Sequence, residues 1–208
     1  QGVDFSEEAS EEISRMLQIT KDNVDLCFRA VISKDVEAVA KADKAEETID
    51  LMNKEIGRYI SKILMHDKTG NDIDAIEEYF KMIGNIERIG DHAVNISGYV
   101  LVMEKNGVVF SQEAQDELYK MQEVCAKTMH LLENIEEDAT NWYGKVAGYE
   151  QQMDDMTMTY RNNHIERMKN GLCSEEGCIL FSELLTDFER MGDHMLNIAK
   201  SYTKIAMS

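Results

Sequence analysis

Proline is absent from this 208-residue chain, and glycine occurs only 12 times. Because proline breaks helices and short strands need many turn residues, this composition favours long uninterrupted helices and disfavours an all-β sandwich. Positive charge is scarce too, since 22 Lys and Arg stand against 40 Asp and Glu, for a net charge of −18. Such a chain repels phosphate backbones and anionic membrane surfaces and attracts multivalent cations. We therefore expect no nucleic-acid partner.

Two further absences limit the classes of protein. No run of 18 apolar residues occurs, so no segment is expected to cross a bilayer by itself. The four cysteines form no C-x-x-C pair, which predicts reduced core or loop thiols and a cytosolic setting; they are Cys27, Cys125, Cys173 and Cys178. Hydrophobic residues nevertheless make up 43% of the chain. That fraction is enough for a buried core and excludes a disordered acidic tail.

Apolar residues recur at helical spacing through most of the chain, which predicts an all-α fold without a sheet. Helices of such length need partners in a bundle, because an isolated helix buries too little surface. Asn106–Gly107 and Asn170–Gly171 are typical of helix C-termini. The six predicted helices run over about residues 6–33, 36–65, 73–105, 111–138, 141–169 and 174–206.

The two halves of the chain are related in sequence. Residues 83–96 and 185–198 match at seven of fourteen positions, at an offset of 102 residues. We infer two tandem three-helix units, residues 1–107 and 108–208, each too small to bury its apolar surface well alone. The expected product is a six-helix assembly with pseudo-twofold symmetry.

The repeated element reads E-R-φ-G-D-H-x-x-N-I, where φ is apolar. It places Glu87 and Asp91 four residues apart on one helical face, and Glu189 and Asp193 likewise in the second unit. Like charges at this spacing destabilise an isolated helix by a few tenths of a kcal/mol. A multivalent cation bridging each pair of carboxylates would offset that repulsion.

The second helix of each unit carries a comparable acidic row. Asp43 and Glu47 are four residues apart in the first unit, and Glu150 and Asp154 in the second. If the second and third helices pack antiparallel, four carboxylates converge in each unit. Oxygen ligands of this kind suit hard ions such as Fe(III), Mn, Mg or Ca, and Zn is also allowed.

Two other interpretations of these acidic rows remain open. With so many acids in the chain, a single pair at this spacing often arises by chance on a solvated face. In the other interpretation, Arg88 and Arg190 simply bridge nearby acids at the surface. His92 and His194 follow the motif acids directly, about 100° further around the helix. We therefore expect these histidines to form hydrogen bonds between helices rather than to bind the metal.

Other function classes make different demands on the sequence. A carboxylate-bridged di-iron enzyme needs Glu-x-x-His. No acid stands three residues before any of the five histidines, where the chain has Ile63, Ile89, Lys127, Arg161 and Met191. No catalytic triad, phosphate loop or zinc-protease motif occurs either, so we predict that the protein is not an enzyme. The sequence also fits a helical adaptor that binds no metal and acts only by contacting a partner.

The motif E-R-I/M-G-D-H, at residues 87–92 and 189–194, resembles the acidic motif of the PhoU family, which has two tandem three-helix units. More narrowly, R-N-N-H-I-E-R-M-K-N-G-L-C at residues 161–173 resembles the PhoU-like cytosolic domain at the C-terminus of bacterial sodium/phosphate cotransporters. E-I-G-R-Y-I at residues 55–60 fits the same subgroup. The resemblance runs from about residue 7 to residue 206, and the missing initiating Met fits a domain excised from behind membrane helices.

The resemblance implies a metal-binding cytosolic regulatory domain that controls phosphate uptake. It implies the soluble C-terminal part of a sodium-dependent phosphate transporter or, alternatively, a free-standing PhoU-type regulator. Its cofactor would be a multinuclear iron or zinc cluster on the acidic motifs, with Mg, Mn or Ca also allowed by the donor atoms. It further implies a membrane-embedded transporter as partner and a location at the cytoplasmic face of the cell membrane, and it allows a homodimer.

The implied link to phosphate poses a problem of charge. The chain shows no arginine cluster or glycine-rich loop that would hold an anion. Thr157 also stands where Asp50 stands in the first unit, so the second acidic row is one carboxylate shorter. If phosphate is sensed directly, we expect it to bind through cations whose coordination the carboxylates leave incomplete.

Overall fold

The computed structural model describes residues 5–66 and 70–207, and within these ranges the chain is entirely helical, without a strand. This confirms the predicted all-α class. Six helices follow one another along the described residues: α1 Phe5–Ser33, α2 Val36–His66, α3 Gly70–Asn106, α4 Gln112–Glu133, α5 Ala139–Lys169 and α6 Glu175–Met207.

The ends of α3 and α5 are built as the Asn-Gly pairs predict. Gly107 and Gly171 have φ angles of +63° and +67°, in the left-handed region that glycine adopts without steric cost. In each case the next residue closes the turn, because Val108 N–H donates to the Met103 carbonyl at 2.9 Å and Leu172 N–H to the Arg167 carbonyl at 2.8 Å. These bonds satisfy carbonyls that the helix end leaves free.

Two helix bounds differ from the sequence prediction. α4 ends at Glu133 instead of near residue 138, because the Asn134 side chain donates to the His130 carbonyl at 2.8 Å. Asp138 belongs to the next helix, since it accepts the Asn141 N–H at 3.1 Å as the N-cap of α5. α3 begins earlier than predicted, at Gly70, and residues 67–69 of the predicted loop lie outside the described residues.

The helices pack as two groups of three around one continuous core. α1, α2 and α3 contact one another, and so do α4, α5 and α6, while α3 against α6 and α1 against α4 join the groups. The largest fully buried side chains include Phe28, Trp142, Phe181 and Phe188. No helix within the described ranges combines the length and the apolar character of a membrane span.

A polar seam crosses the α3–α6 interface and follows the internal repeat. His92 Nδ1–H donates to Asp187 Oδ1 at 2.8 Å, and His194 Nδ1–H donates to Asn85 Oδ1 at 3.0 Å. The two pairs are related by the 102-residue offset of the repeat, and the two imidazole rings stack with centroids 5.6 Å apart. The prediction that these histidines join helices is confirmed.

The cysteines depart from expectation at one pair. Cys173 and Cys178 form a disulfide across the turn between α5 and α6, so the prediction of four reduced thiols is wrong there. Their Cα atoms are 6.3 Å apart, a separation that a disulfide spans. The spacing in sequence did not reveal this turn geometry. Cys27 and Cys125 are free and buried. The cysteine content therefore no longer points to a reducing compartment.

Candidate metal centre

The first acidic cluster joins α2 to α3 and consists of Glu46, Asp50, Glu87 and Asp91. Glu46 shares a hydrogen bond with Asp91, and Asp50 shares one with Glu87. The Asn53 side chain donates to Glu87 from the next turn of α2. Two carboxyl groups can share a hydrogen bond only if one of them carries a proton. The cluster therefore consists of two facing pairs of acids, Glu46 with Asp91 and Asp50 with Glu87.

Glu46 is the most strongly perturbed acid of the first cluster. Desolvation by burial, followed by the hydrogen bond and the negative charge of Asp91, raises the pKa of Glu46 to about 8. The pKa of Glu87 is raised as well, by desolvation first and then by repulsion from Asp91 and Asp50. Glu46 Oε2 is buried and has no hydrogen-bond partner. A buried carboxylate oxygen without a donor is the ligand atom that a cation would complete.

Gly90, the glycine of the repeated motif, lets the Glu46 carboxylate lie close to α3. A Cβ atom at position 90 would stand 2.6 Å from Glu46 Oε2, so a larger residue there would displace the Glu46 carboxylate from its place against α3. The equivalent Gly192 is approached by the Met153 side chain, whose Cε would lie 3.1 Å from an added Cβ. The repeated glycine therefore serves close helix packing in both units, against a carboxylate in one and a thioether in the other.

The residues predicted on α2 do not include those that reach the motif. Asp43 and Glu47 are exposed, whereas the contacts of α2 with Glu87 and Asp91 come from Glu46 and Asp50. A signal for Glu46 was present in the sequence. The buried stripe of α2 has alternating spacings of three and four, and positions 46 and 53 fall on it between Val39, Ala42, Ile49, Ile56 and Ile60. Polar residues that interrupt such a stripe point toward a neighbouring helix.

The second acidic cluster joins α5 to α6 and consists of Glu150, Asp154, Glu189 and Asp193. One oxygen each of Glu150, Asp154 and Asp193 lies within 4.8 Å of the others. Glu189 lines the same surface hollow of about 380 Å³ as Asp154 and Asp193. Desolvation, followed by hydrogen bonding to and repulsion from Asp154 and Asp193, raises the pKa of Glu150 to about 7. The structure thus brings three of the four predicted acids of the second unit close together, and Glu189 lines the adjoining hollow.

The two clusters are not equivalent. At the α5 positions that correspond to Glu46 and Asp50 the chain has Met153 and Thr157, and the Thr157 hydroxyl is buried and donates to the Met153 carbonyl at 2.9 Å. Arg161 also lines the second hollow. The second cluster is therefore shallower and lies beside a positive charge.

Both clusters have the donor atoms that a hard cation takes. Their ligands would be carboxylate oxygens, which suit Mg, Mn, Ca or iron better than a thiophilic metal. The unpartnered Glu46 oxygen and the raised pKa values of Glu46 and Glu150 indicate negative charge that lacks compensation inside the protein. The second cluster fits a cation as it stands, because three of its carboxylate oxygens lie within 4.8 Å of one another, whereas the first offers facing pairs of acids. Metal binding by the predicted acids stays a prediction.

The raised pKa of Glu46 predicts a pH-dependent stability of the metal-free protein. Its folded pKa of about 8 lies above the reference value of 4.5, so the folded state binds more protons and stability falls as pH rises from about 4.5 through 8. Glu46→Gln removes this loss. After a discount for solvent screening, the variant should gain about 1–2 kcal/mol at pH 9 and nothing at pH 4.

Thermal denaturation in the presence of a chelator checks this prediction, with a gain of roughly 2–8 °C expected at pH 9. Glu47→Gln is the matched control, because it removes an exposed carboxylate from the adjacent position of the same helix. An equal gain in the control, or a gain in Glu46→Gln that does not change with pH, would show that the pKa of Glu46 is not the raised one.

Comparisons with known proteins agree on one family. Residues 13–100 match the PhoU domain family. The chain is 21% identical over 195 residues to the "Phosphate-specific transport system accessory protein PhoU homolog 1" of Thermotoga maritima, covering 91% of this chain and 82% of that protein. PhoU from Pseudomonas aeruginosa superposes with a TM-score of 0.87 at 20% identity, covering 97% and 96% of the two chains. The phosphate transport system regulatory protein PhoU from Streptococcus pneumoniae superposes with a TM-score of 0.84 at 18% identity, covering 96% and 93%.

Proposed function

We propose that this chain, whose residues 13–100 match the PhoU domain family, regulates phosphate uptake together with a phosphate transport system. The observation that carries this proposal is the family match, joined to a relative over 91% of the chain that is named as an accessory protein of phosphate-specific transport. The proposed role is regulatory rather than enzymatic. Its proposed location is the cytoplasmic face of the membrane that holds the transporter, and a homodimer stays a prediction.

Two contexts were expected for such a regulator, and the relatives favour the free-standing one. This chain covers 82% of the Thermotoga maritima protein and 93% and 96% of the two solved PhoU chains. These relatives therefore have little sequence outside the matched region. The interpretation as the C-terminal domain of a sodium/phosphate cotransporter receives no such support. We propose a regulator that associates with a separate transporter.

Metal binding by the two acidic clusters is part of the proposal. Glu46, Asp50, Glu87 and Asp91 would hold a cation in the first unit, and the four acids of the second cluster another in the second unit. A bound cation would neutralise the shared carboxylates and present positive charge to a phosphate oxygen. The chain's own contribution is the orientation of the acids by α2 against α3 and by α5 against α6. Iron or zinc follows from the family resemblance, whereas the oxygen donors favour hard ions.

Paired variants test whether the first cluster serves regulation. Asp91→Asn combined with Glu46→Gln removes two acids of the cluster, and Asp43→Asn combined with Glu47→Gln removes two exposed acids of the same region. We expect the first pair to weaken Mn²⁺ binding at least about tenfold, since even the loss of a residue that only hydrogen-bonds to a metal ligand costs that much. The control pair should leave the affinity within about twofold.

The cellular readout is phosphate uptake in a bacterial strain whose own PhoU gene is deleted. This chain is expected to restore phosphate-dependent control of uptake, the cluster variant to behave as the deletion, and the control pair to behave as the unmodified chain. Unchanged uptake with and without this chain would refute the regulatory role. Restoration by the cluster variant would instead separate regulation from the metal.

A further inference from the structure

The turn between α5 and α6 gathers three metal-binding side chains away from both acidic clusters. A ring nitrogen of His164 and the sulfur atoms of Cys173 and Cys178 lie within 4.8 Å of one another. His164 and Cys178 are buried and Cys173 is half-buried. We propose that these residues form a Cys₂His site for Zn²⁺ when the Cys173–Cys178 disulfide is reduced. The disulfide and the metal are then alternative states of one site.

The backbone holds the two cysteines close together independently of the bond between them. Gly171 reverses the chain after α5, and Leu172 N–H closes that turn on the Arg167 carbonyl. Ser174 then begins α6, because its side chain accepts the Gly177 N–H at 3.1 Å and its carbonyl accepts the Cys178 N–H at 2.9 Å. The cysteines on either side of this cap are therefore placed by helix-terminal hydrogen bonds. Reduction leaves both sulfur atoms near His164.

His164 has the surroundings of a metal ligand. Its Nε2–H donates to the Cys178 carbonyl at 2.9 Å, so the lone pair of the neutral ring lies on Nδ1. A metal-binding histidine commonly donates its other ring N–H to a backbone carbonyl, which fixes the tautomer and the orientation of the ring. The ring also packs against Phe181 with centroids 4.8 Å apart. The imidazole is therefore oriented before any metal binds.

The charges near the site permit a divalent cation. Two thiolates neutralise Zn²⁺, and Arg167, a buried cation of α5, is already paired with Glu117 at 2.8 Å. An open hollow of about 420 Å³ adjoins His164 and Cys178, with Arg161 and Glu183 in its lining. Three protein ligands leave the fourth tetrahedral position to water, which reaches the site through this hollow. Sulfur ligands select Zn²⁺ over the hard ions that suit the acidic clusters.

A phosphine reduces the Cys173–Cys178 disulfide to two thiols. The phosphine transfers two electrons to the disulfide, water supplies the oxygen of the phosphine oxide, and two thiols form. Zn²⁺ then displaces one proton from each thiol and gains two Zn–S bonds. A small-molecule disulfide re-forms the Cys173–Cys178 bond by taking up the two electrons and two protons of the dithiol, and is itself reduced to two thiols. The oxidised protein then lacks both sulfur ligands and therefore the site.

Co²⁺ titration of the full chain tests this proposal, because thiolate bound to Co²⁺ gives near-ultraviolet charge-transfer absorption and carboxylate ligands do not. The phosphine-reduced protein is expected to develop this band, to saturate at about one equivalent, and to lose it when Zn²⁺ is added. The same protein without reduction should show no band. Cys173→Ser should lose the band, and Cys125→Ala, which removes a buried cysteine elsewhere, should keep it.

Loss of the band in a variant could also come from misfolding. The oxidised wild-type protein controls for this, because it has the same sequence as the reduced sample and should still show no band. The absence of the band from reduced protein would overturn the proposal. Its persistence in oxidised protein or in Cys173→Ser would do so as well, since Co²⁺ would then be bound elsewhere. His164→Phe is expected to weaken Co²⁺ binding at least about tenfold.

Discussion

Replacing Arg167 with Met is expected to lower the free energy of unfolding by about 3–5 kcal/mol. Arg167 and Glu117 form a buried ion pair between α5 and α4, with side chains 4% and 6% exposed. The guanidinium donates to both Glu117 oxygens, at 3.2 and 2.8 Å, and lies over the Phe181 ring. Removal of the arginine leaves a buried carboxylate to which, among the described residues, only the Asn163 side chain donates.

Urea denaturation of the single and double variants checks this expectation. Arg167→Met combined with Glu117→Gln should recover at least half of the loss, because the unpaired charge is gone while the acceptor for Asn163 remains. The control is Lys169→Met, which breaks an exposed pair with Glu166 and should change stability by less than about 0.5 kcal/mol. A loss of equal size in the double variant would mean that packing of the arginine, and not its charge, stabilises the α4–α5 contact.

Asp187→Leu is expected to destabilise the protein by about 2–4 kcal/mol, or roughly 4–16 °C in melting temperature. Asp187 is buried and accepts hydrogen bonds from His92 at 2.8 Å, from Asn95 at 3.2 Å and from the Tyr99 hydroxyl at 2.5 Å. Burial, followed by this hydrogen bond, raises the pKa of Tyr99, so the phenol remains a donor throughout the physiological range. Leucine leaves these donors without their acceptor.

The internal repeat offers a matched control for this prediction. Asn85 occupies the equivalent position and accepts from His194 at 3.0 Å and, more weakly, from Asn197 at 3.4 Å. Asn85→Leu should therefore cost about 1–2 kcal/mol, clearly less than Asp187→Leu. Equal losses at the two positions would show that the carboxylate contributes no more than the amide.

The seam matters for regulation because it joins the two halves of the protein. A regulator must favour one arrangement over another when its ligand binds. Asp91 and Asp193 directly precede the stacked histidines of the seam, so each acidic cluster is one residue away from the interface between α3 and α6. A cation bound at either cluster would therefore be expected to affect how α3 packs against α6.

Part of the candidate site could be predicted from sequence. Glu87, Asp91, Glu189 and Asp193 stood out because a motif of this composition recurs at an offset of half the chain. Their partners on α2 were harder to choose. That helix has acids at positions 43, 46, 47 and 50, which form two rows, 43/47 and 46/50, with the same spacing. Only the rotation of the helix about its axis decides which row faces α3. The rotation depends on how the apolar stripe of α2 packs against α1 and α3.

Other features left no sequence signal that could identify a partner. The Cys173–Cys178 bond depends on a turn whose geometry the spacing does not specify. The pairing of Arg167 with Glu117 joins residues 50 positions apart. The His92–Asp187 bond spans 95 residues, and only the relation between the repeats hinted that α3 and α6 meet.

The sequence by itself determined the helices, their approximate ends, the internal repeat and the acidic motif, because each of these depends on residues within a few turns of one another. The tertiary structure alone decided which acids share a cluster, which histidine meets a carboxylate and which cysteines lie side by side. Those outcomes depend on the rotation and approach of whole helices. One residue along a helix is a rotation of about 100° around its axis, and this step exchanges the half-buried Glu46 for the exposed Glu47.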